Sequence, residues 1–225
     1  MTQPLVQPLP EKVAGLLRDR LIAGDFVPGQ KLSEQSLSDS LGVSRNTLRE
    51  AFRLLTSEGL LQHEANRGVF VMIPSIASVI DIYRVRRVIE CGALSSAYAG
   101  HPAVLLMQDA VKAARVASAQ KKWQALGSAN MSFHAAIVAL ADSERLSNFY
   151  AKIAAELRLS FALLDSPEML HAPYVDMNAD ILKKLEDEQP QHAVAALNEY
   201  LTQSERVVLA ALTRAACHAR AGGMG

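Results

Sequence analysis

Apolar positions near the start of the chain recur at helical spacing. Val13, Leu16, Leu17 and Leu21 supply one face of a helix over about 10–23, with Arg18, Asp19 and Arg20 mostly outside it. Gly24-Asp25 ends that segment, and Pro28-Gly29 marks a turn before a short strand at Lys31-Leu32. Ser33 is placed to cap a helix over 34–41, whose Leu37 and Leu41 point inward, and Gly42 makes the following turn. Ser44 caps a third helix that runs to about Glu58, with Leu48, Ala51, Phe52 and Leu55 as its buried stripe and Gly59 as its stop. Two short β-prone runs follow, 60–64 and 69–73, joined by Ala65-Asn66-Arg67-Gly68, a connection suited to a tight hairpin.

Past Pro74-Ser75 the strand vocabulary disappears. Six helices are predicted at roughly 77–99, 102–119, 121–140, 143–164, 168–188 and 190–216, with Pro102, Pro167 and Pro190 at first-turn positions. Ile80, Tyr83, Ile89 and Leu94 line either a bundle core or a dimer interface, the core being the default. Residues 1–9 and the glycine-bearing tail from Ala219 have little to bury and are expected to fray. The fold class is therefore mainly α: an N-terminal winged helix-turn-helix over residues 1–74 and a C-terminal all-helical bundle of about six helices over 75–225.

Composition changes this picture little. Half of the 225 residues are hydrophobic, enough for a substantial core. Lys+Arg and Asp+Glu are both 23, and the first 75 residues are balanced too, so net charge does not point to a nucleic acid. Only a local basic surface has to meet phosphates, and Arg45, Arg49 and Arg53 recur every four residues along one helix. Cys91 and Cys217 have no CxxC spacing, which suits reduced thiols in a cytoplasmic protein. The opening MTQPLVQPLPEK has no apolar stretch behind basic residues, and no apolar run approaches a membrane span, so neither a signal peptide nor a membrane partner is expected.

The chemistry concentrates in LSEQSLSDSLGVSRNTLREAFR, residues 32–53. Arg45, Asn46, Thr47 and Arg49 crowd the first turns of the second helix of this pair, where a helix-turn-helix reaches base edges and phosphates. A guanidinium at Arg45 or Arg49 can donate two parallel bonds to guanine. Asn46 and Thr47 sit where side chains and backbone amides meet phosphate, and Arg67 at the hairpin tip can enter a minor groove. The competing reading is solvation or ion pairing: Arg49 with Asp39 or the neighbours of Glu50, Arg53 in a salt bridge, Arg67 in a solvated turn. No nucleophile elbow, P-loop or HExxH is present, so no enzyme is expected.

These residues carry a family resemblance. GDFVPGQKLSEQSLSDSLGVSRNTLREAFRLLTSEGLL, followed by NRGVFV, resembles the winged-helix domain of GntR-type bacterial transcription regulators. IYRVRRVIE at 82–90, NMSFHAAIVALADSERL at 130–146 and the fainter NADILKKLEDEQPQHAVAALNEYL at 178–201 resemble the FCD effector domain of the FadR branch, and six helices suit its shorter, VanR-like form. The resemblance implies a homodimeric regulator, expected to be a repressor, that binds a double-stranded operator. Its DNA affinity would depend on a small-molecule effector, commonly a carboxylate. The family's DNA contacts fall on Ser44, Arg45, Asn46, Thr47 and Arg49, and the hairpin tip adds Arg67 and Gly68 as candidate contacts. Gln35 occupies a position often filled by Arg in the family.

Many FCD domains hold a divalent metal with one Asp and three His. By the resemblance those positions are Asn130, His134, Asn178 and Tyr200, so His134 alone survives. An imidazole with two amides and a phenol is a poor transition-metal set, and no metal or other cofactor is expected. His171, Asp176 and His192 are not at matching positions, and His192 suits the surface. The candidate effector-binding residues are Arg86, Glu90, Asn130, His134, Asn178 and Tyr200. Arg86 and Glu90 match the family's R-x-x-x-E, with Arg86 either clamping a carboxylate or pairing with Glu90. The alternative is a bundle that has lost its effector and serves only dimerisation.

Overall fold

Caps and left-handed glycines set the element boundaries of the N-terminal third. The computed structural model describes residues 9–163 and 167–222. Of the termini expected to fray, residues 1–8 and 223–225 lie outside the described residues, whereas 219–222 continue the last helix, which runs past the predicted end at 216. Helix α1 (Leu9–Ala23) is followed by β1 (Lys31–Leu32), α2 (Glu34–Leu41) and α3 (Arg45–Ser57). The Ser33 hydroxyl accepts from the Ser36 amide, and the Ser44 hydroxyl accepts from the Thr47 amide, so both predicted caps are made. Gly42 closes α2 at φ 64°, a left-handed conformation that costs any residue with a Cβ roughly 1–2 kcal/mol. That turn fixes the angle between α2 and α3.

Strands β2 (Leu61–Glu64) and β3 (Gly68–Val71) form the wing hairpin, and β3 is also paired with β1. The antiparallel order is β1-β3-β2, with Lys31 opposite Phe70 and Glu64 opposite Gly68. β3 ends two residues earlier than the apolar run suggested, and Ile73 is exposed. The stripe Leu48, Ala51, Phe52 and Leu55 is buried as predicted. Leu16 is not part of the α1 face: it is exposed, while Ala14 is buried with Val13, Leu17 and Leu21. A one-residue step toward Ala14 re-centres the stripe and turns Leu16 to solvent. Leu41 is only half-buried.

The bundle comprises α4 (Ile76–Ser95), α5 (Pro102–Ala119), α6 (Trp123–Ala139), α7 (Glu144–Phe161), α8 (Pro167–Glu186) and α9 (Pro190–Gly222). Ser75 and Ser78 form a reciprocal capping box that starts α4. The first bundle helix stops at Ser95 rather than 99, because the chain turns through 96–101 toward the His101 cap of α5. α5 packs along α6, and α9 packs against α4 and α8. Leu94, Met107, Phe133, Ile137, Ile181 and Leu201 lie in the resulting core. The wing and the bundle are not independent layers. Ala155 and Leu159 of α7 are buried in the same cluster as Leu17, Leu21, Leu55 and Leu60.

Candidate nucleic-acid interface and polar core

α3 presents its N-terminal turn outward. Ser44, Arg45, Asn46 and Arg49 are exposed and Thr47 is half-buried. The amides of the first helical positions lack intrahelical acceptors and carry the positive end of the helix dipole. Ser44 occupies one of them, at Thr47, with a 3.1 Å bond, and its hydroxyl lies 2.8 Å from the Thr47 hydroxyl. Among the described residues the first two, on Arg45 and Asn46, have no hydrogen-bond acceptor. Arg49 Nε donates to Glu34 Oε2 at 2.9 Å, a partner from the start of α2 rather than Asp39 or a neighbour of Glu50. Asp39 instead accepts from Gln35 Nε2 at 2.8 Å. Arg53 pairs with Glu50 at 2.6 Å. Arg45 has no ion-pair partner among the described residues.

The wing tip carries a further exposed cation. Asn66 (φ 62°) and Gly68 (φ 108°) take left-handed conformations, and Arg67 between them is exposed. Arg67 pairs with Glu64 and lies over the Phe70 ring at 5.4 Å. A Cβ on Gly68 would stand 3.3 Å from Lys31 Cε, a flexible side-chain end that can give way, so it is the backbone conformation that favours glycine there. Exposed ion pairs such as Arg49–Glu34 contribute about 0–1 kcal/mol, so exchanging the carboxylate for a phosphate is cheap.

A second polar cluster lies inside the bundle. α4 aims Arg86 and Glu90 inward, α6 contributes Asn130 and His134, α7 Tyr150, α8 Asn178 and α9 Tyr200, all buried. Glu90 Oε1 accepts from Arg86 Nε at 2.6 Å and from the Tyr150 hydroxyl at 2.7 Å. Glu90 Oε2 lies 2.7 Å from His134 Nδ1. Asn178 Nδ2 donates to Asn130 Oδ1 at 2.7 Å, and Asn130 Nδ2 donates to the Tyr200 hydroxyl at 2.9 Å. The His134 and Tyr200 rings meet with centroids 4.6 Å apart. The six positions singled out from the sequence therefore converge on one site.

The charges of this core are balanced. Burial pushes the Glu90 carboxyl up, but the Arg86 charge and the His134 contact outweigh it and hold the group at about 2. Burial opposes charge on Arg86 too, and Glu90 more than offsets that, leaving its pKa well above the ordinary value. For His134 burial prevails, with Arg86 adding to it, and its pKa is lowered despite Glu90. Burial also drives Tyr83 up to about 12 and Tyr150 well above its ordinary value. Arg86 is thus the partner of Glu90, and its Nε is not available to clamp a ligand carboxylate.

Sequence reasoning missed Tyr150, and also Tyr83 with Ser204, whose hydroxyls meet at 2.6 Å. An aromatic at a buried helix position reads as core, and nothing local signals a carboxylate from another helix. The residues do not fit a metal. His134 commits one nitrogen to Glu90, while Asn130, Asn178 and Tyr200 are neutral and bonded to one another. Among the described residues, no group of three or more His, Cys, Asp or Glu is placed to hold one. His192 is exposed and Asp176 is exposed, while the His171 side chain lies outside the described residues.

A winged helix with an exposed polar recognition turn, joined to a helical bundle with a polar heart, defines a DNA-binding regulator of transcription rather than an enzyme. Residues 9–71 match the family of bacterial regulatory proteins, gntR family, and residues 81–203 match the FCD domain. The chain belongs to the GntR family and carries an FCD effector-binding domain. It is similar to the HTH-type transcriptional repressor RspR of Escherichia coli K12, 26% identical over 208 residues that cover 90% of this chain and 91% of the relative. It is also similar to the Nta operon transcriptional regulator of Aminobacter aminovorans, 25% identical over 84% of this chain and 90% of the relative. A crystal structure of a GntR regulator from Rhodococcus sp. RHA1 is 35% identical, covers 89% of this chain and 97% of its own, and superposes with a TM-score of 0.82. No described helix is long and apolar enough to cross a membrane.

Proposed function

We propose that this chain is a repressor that acts in the cytoplasm as a homodimer. Residues 1–74 would bind an operator of paired half-sites and 75–225 would sense a small molecule. The exposed N-terminal turn of α3 carries this reading, since Arg45, Asn46 and Arg49 project from a helix whose other face is fully packed. Arg45 and Arg49 read base edges or neighbouring phosphates, Ser44, Asn46 and Thr47 approach the backbone, and Arg67 with the Gly68 turn follows the adjacent groove. Gln35, already bonded to Asp39, adds a weak polar contact at most. The repressor sign is supported by the similarity to RspR.

Effector binding at Glu90, His134, Asn130, Asn178 and Tyr200 would shift the population of wing arrangements and so operator affinity. The donor set supports a site that works without a tightly held metal. A second reading, a bundle kept only for dimerisation, is favoured by the extent to which the polar side chains satisfy one another. Gel-shift titration at two salt concentrations tests the first part. Specific binding should fall steeply with salt and drop on Arg45→Ala or Arg49→Ala. Equal affinity for operator and random DNA, unmoved by either substitution, would overturn it.

A further inference from the structure

Three buried side-chain atoms lack a hydrogen-bond partner among the described residues, and two of them, His134 Nε2 and Asn178 Oδ1, belong to the polar core. Both side chains are at most 2% exposed. Their chemistry has one sense. His134 turns Nδ1 to the Glu90 carboxylate, so that nitrogen carries the proton. Glu90 already balances Arg86, and a second cation on the ring would be buried without an anion of its own. Nε2 is then a bare lone pair. Asn178 spends its Nδ2 on Asn130 and leaves its carbonyl oxygen open. Both orphaned atoms are acceptors, and leaving each one unmet costs about 1–3 kcal/mol.

We propose that the effector of this chain presents hydrogen-bond donors, an amine, hydroxyl or amide N–H, to His134 Nε2 and Asn178 Oδ1, and is not a carboxylate. The inference rests on the reading of the bundle as an effector site. A carboxylate would bring only lone pairs to two acceptors, with the nearest cation already engaged. A recess of about 150 Å³ bordered by Tyr150, Met131, Ala135, Ala154 and Ile22 lies beside this core, and neither His134 nor Asn178 lines it. A ligand that extended from the two acceptors past Tyr150 would place a benzene-sized body there. Tyr150 connects the two regions, lining the recess while its hydroxyl donates to Glu90. Ile22 belongs to α1, so a ligand body seated there touches the DNA-binding half of the molecule directly.

The test uses matched probes on the full chain: benzylamine, benzyl alcohol and benzamide against benzoate, and putrescine and succinamide against succinate. Thermal unfolding and operator affinity are followed together with the ¹⁵N resonances of the histidine ring. The amine, alcohol or amide members raise Tm by a few degrees and change operator affinity. The His134 Nε2 resonance starts at the unprotonated position and moves as it accepts a bond. Asn178→Leu, which removes one acceptor, abolishes the Tm shift; if that variant fails to fold, the ring resonance of the wild-type chain still decides. Stabilisation by benzoate or succinate alone, or a proton found on Nε2 in the free protein, overturns the donor assignment and leaves the effector reading standing. A flat response to every probe, in stability and in operator affinity, removes both.

Discussion

At the residue scale, the clearest consequence of the buried core is a dependence of stability on pH. Glu90, held at about 2 against an ordinary 4.5, contributes about 3 kcal/mol above the unfolded value, and that contribution is lost as pH falls toward 2. His134 acts in the same sense. Its pKa is lowered, so the unfolded chain takes up a proton first and stability declines once pH drops below about 6.5. Chemical unfolding between pH 7 and 4 should therefore show a falling stability that Glu90→Gln flattens below pH 4.5, although that variant is less stable at neutral pH. A pH-independent midpoint over that range would show that burial does not hold the His134 pKa below its ordinary value. On α3, Arg45→Ala should weaken operator binding by about 1–3 kcal/mol, roughly five- to 150-fold, with no loss of helix content by circular dichroism. Arg53→Ala, already paired with Glu50 and far from the helix start, should change it far less.

At the element scale, the angle between α2 and α3 depends on Gly42 and the start of α3 on Ser44. Gly42→Ala meets no neighbouring atom, so its effect is conformational alone and should cost roughly 1–2 kcal/mol. Ser44→Ala removes the cap of the Thr47 amide and should cost about 0.5–2 kcal/mol; denaturant midpoints measure both. These features were legible in the sequence because caps, left-handed glycines and the Leu48–Leu55 stripe are local signals. The convergence of Asn130, His134, Asn178 and Tyr200 came from resemblance, since each alone looks like an ordinary helix residue. Tyr150 was not legible at all. Its role depends on which helix α7 faces, and the period of one helix does not encode its neighbour. Leu16 shows the same limit on a smaller scale, because an apolar residue near the edge of a stripe reads as part of it.

At the scale of the whole molecule, α7 links the polar core to the DNA-binding half. Tyr150 at one end bonds Glu90, and further along the helix Arg158 is buried with no carboxylate partner among the described residues. Its guanidinium reaches the Ala23 carbonyl at 3.4 Å and the Gln124 carbonyl at 3.2 Å, so it sits at the negative end of the α1 dipole. Gly24 leaves it room, since a Cβ there would stand 2.9 Å from the guanidinium. Lys152 adds a bond to Glu58, the cap of α3, which also holds Arg18. A shift of α7 is thereby felt by both α1 and α3. Arg158→Ala should keep DNA binding but weaken the effect of an effector on it by roughly five- to ten-fold, within the usual 1–3 kcal/mol of coupling between sites. Full coupling in that variant would exclude this route. Dialysis against EDTA should leave Tm unchanged, and a large drop restored by a divalent metal would contradict the neutral donor set.

The proposed function depends on the α3 N-terminus reading a duplex. Fluorescence anisotropy of the full-length protein on an operator recovered by in vitro selection tests it most directly, with wild type and Arg45→Ala/Arg49→Ala compared across a salt series. The selected sequence should contain two half-sites about one helical turn, or a multiple of it, apart. The wild type should show a steep salt slope, with both specificity and part of the slope lost in the double variant. Selection that yields no common sequence, or a double variant that binds the operator as the wild type does, would contradict it.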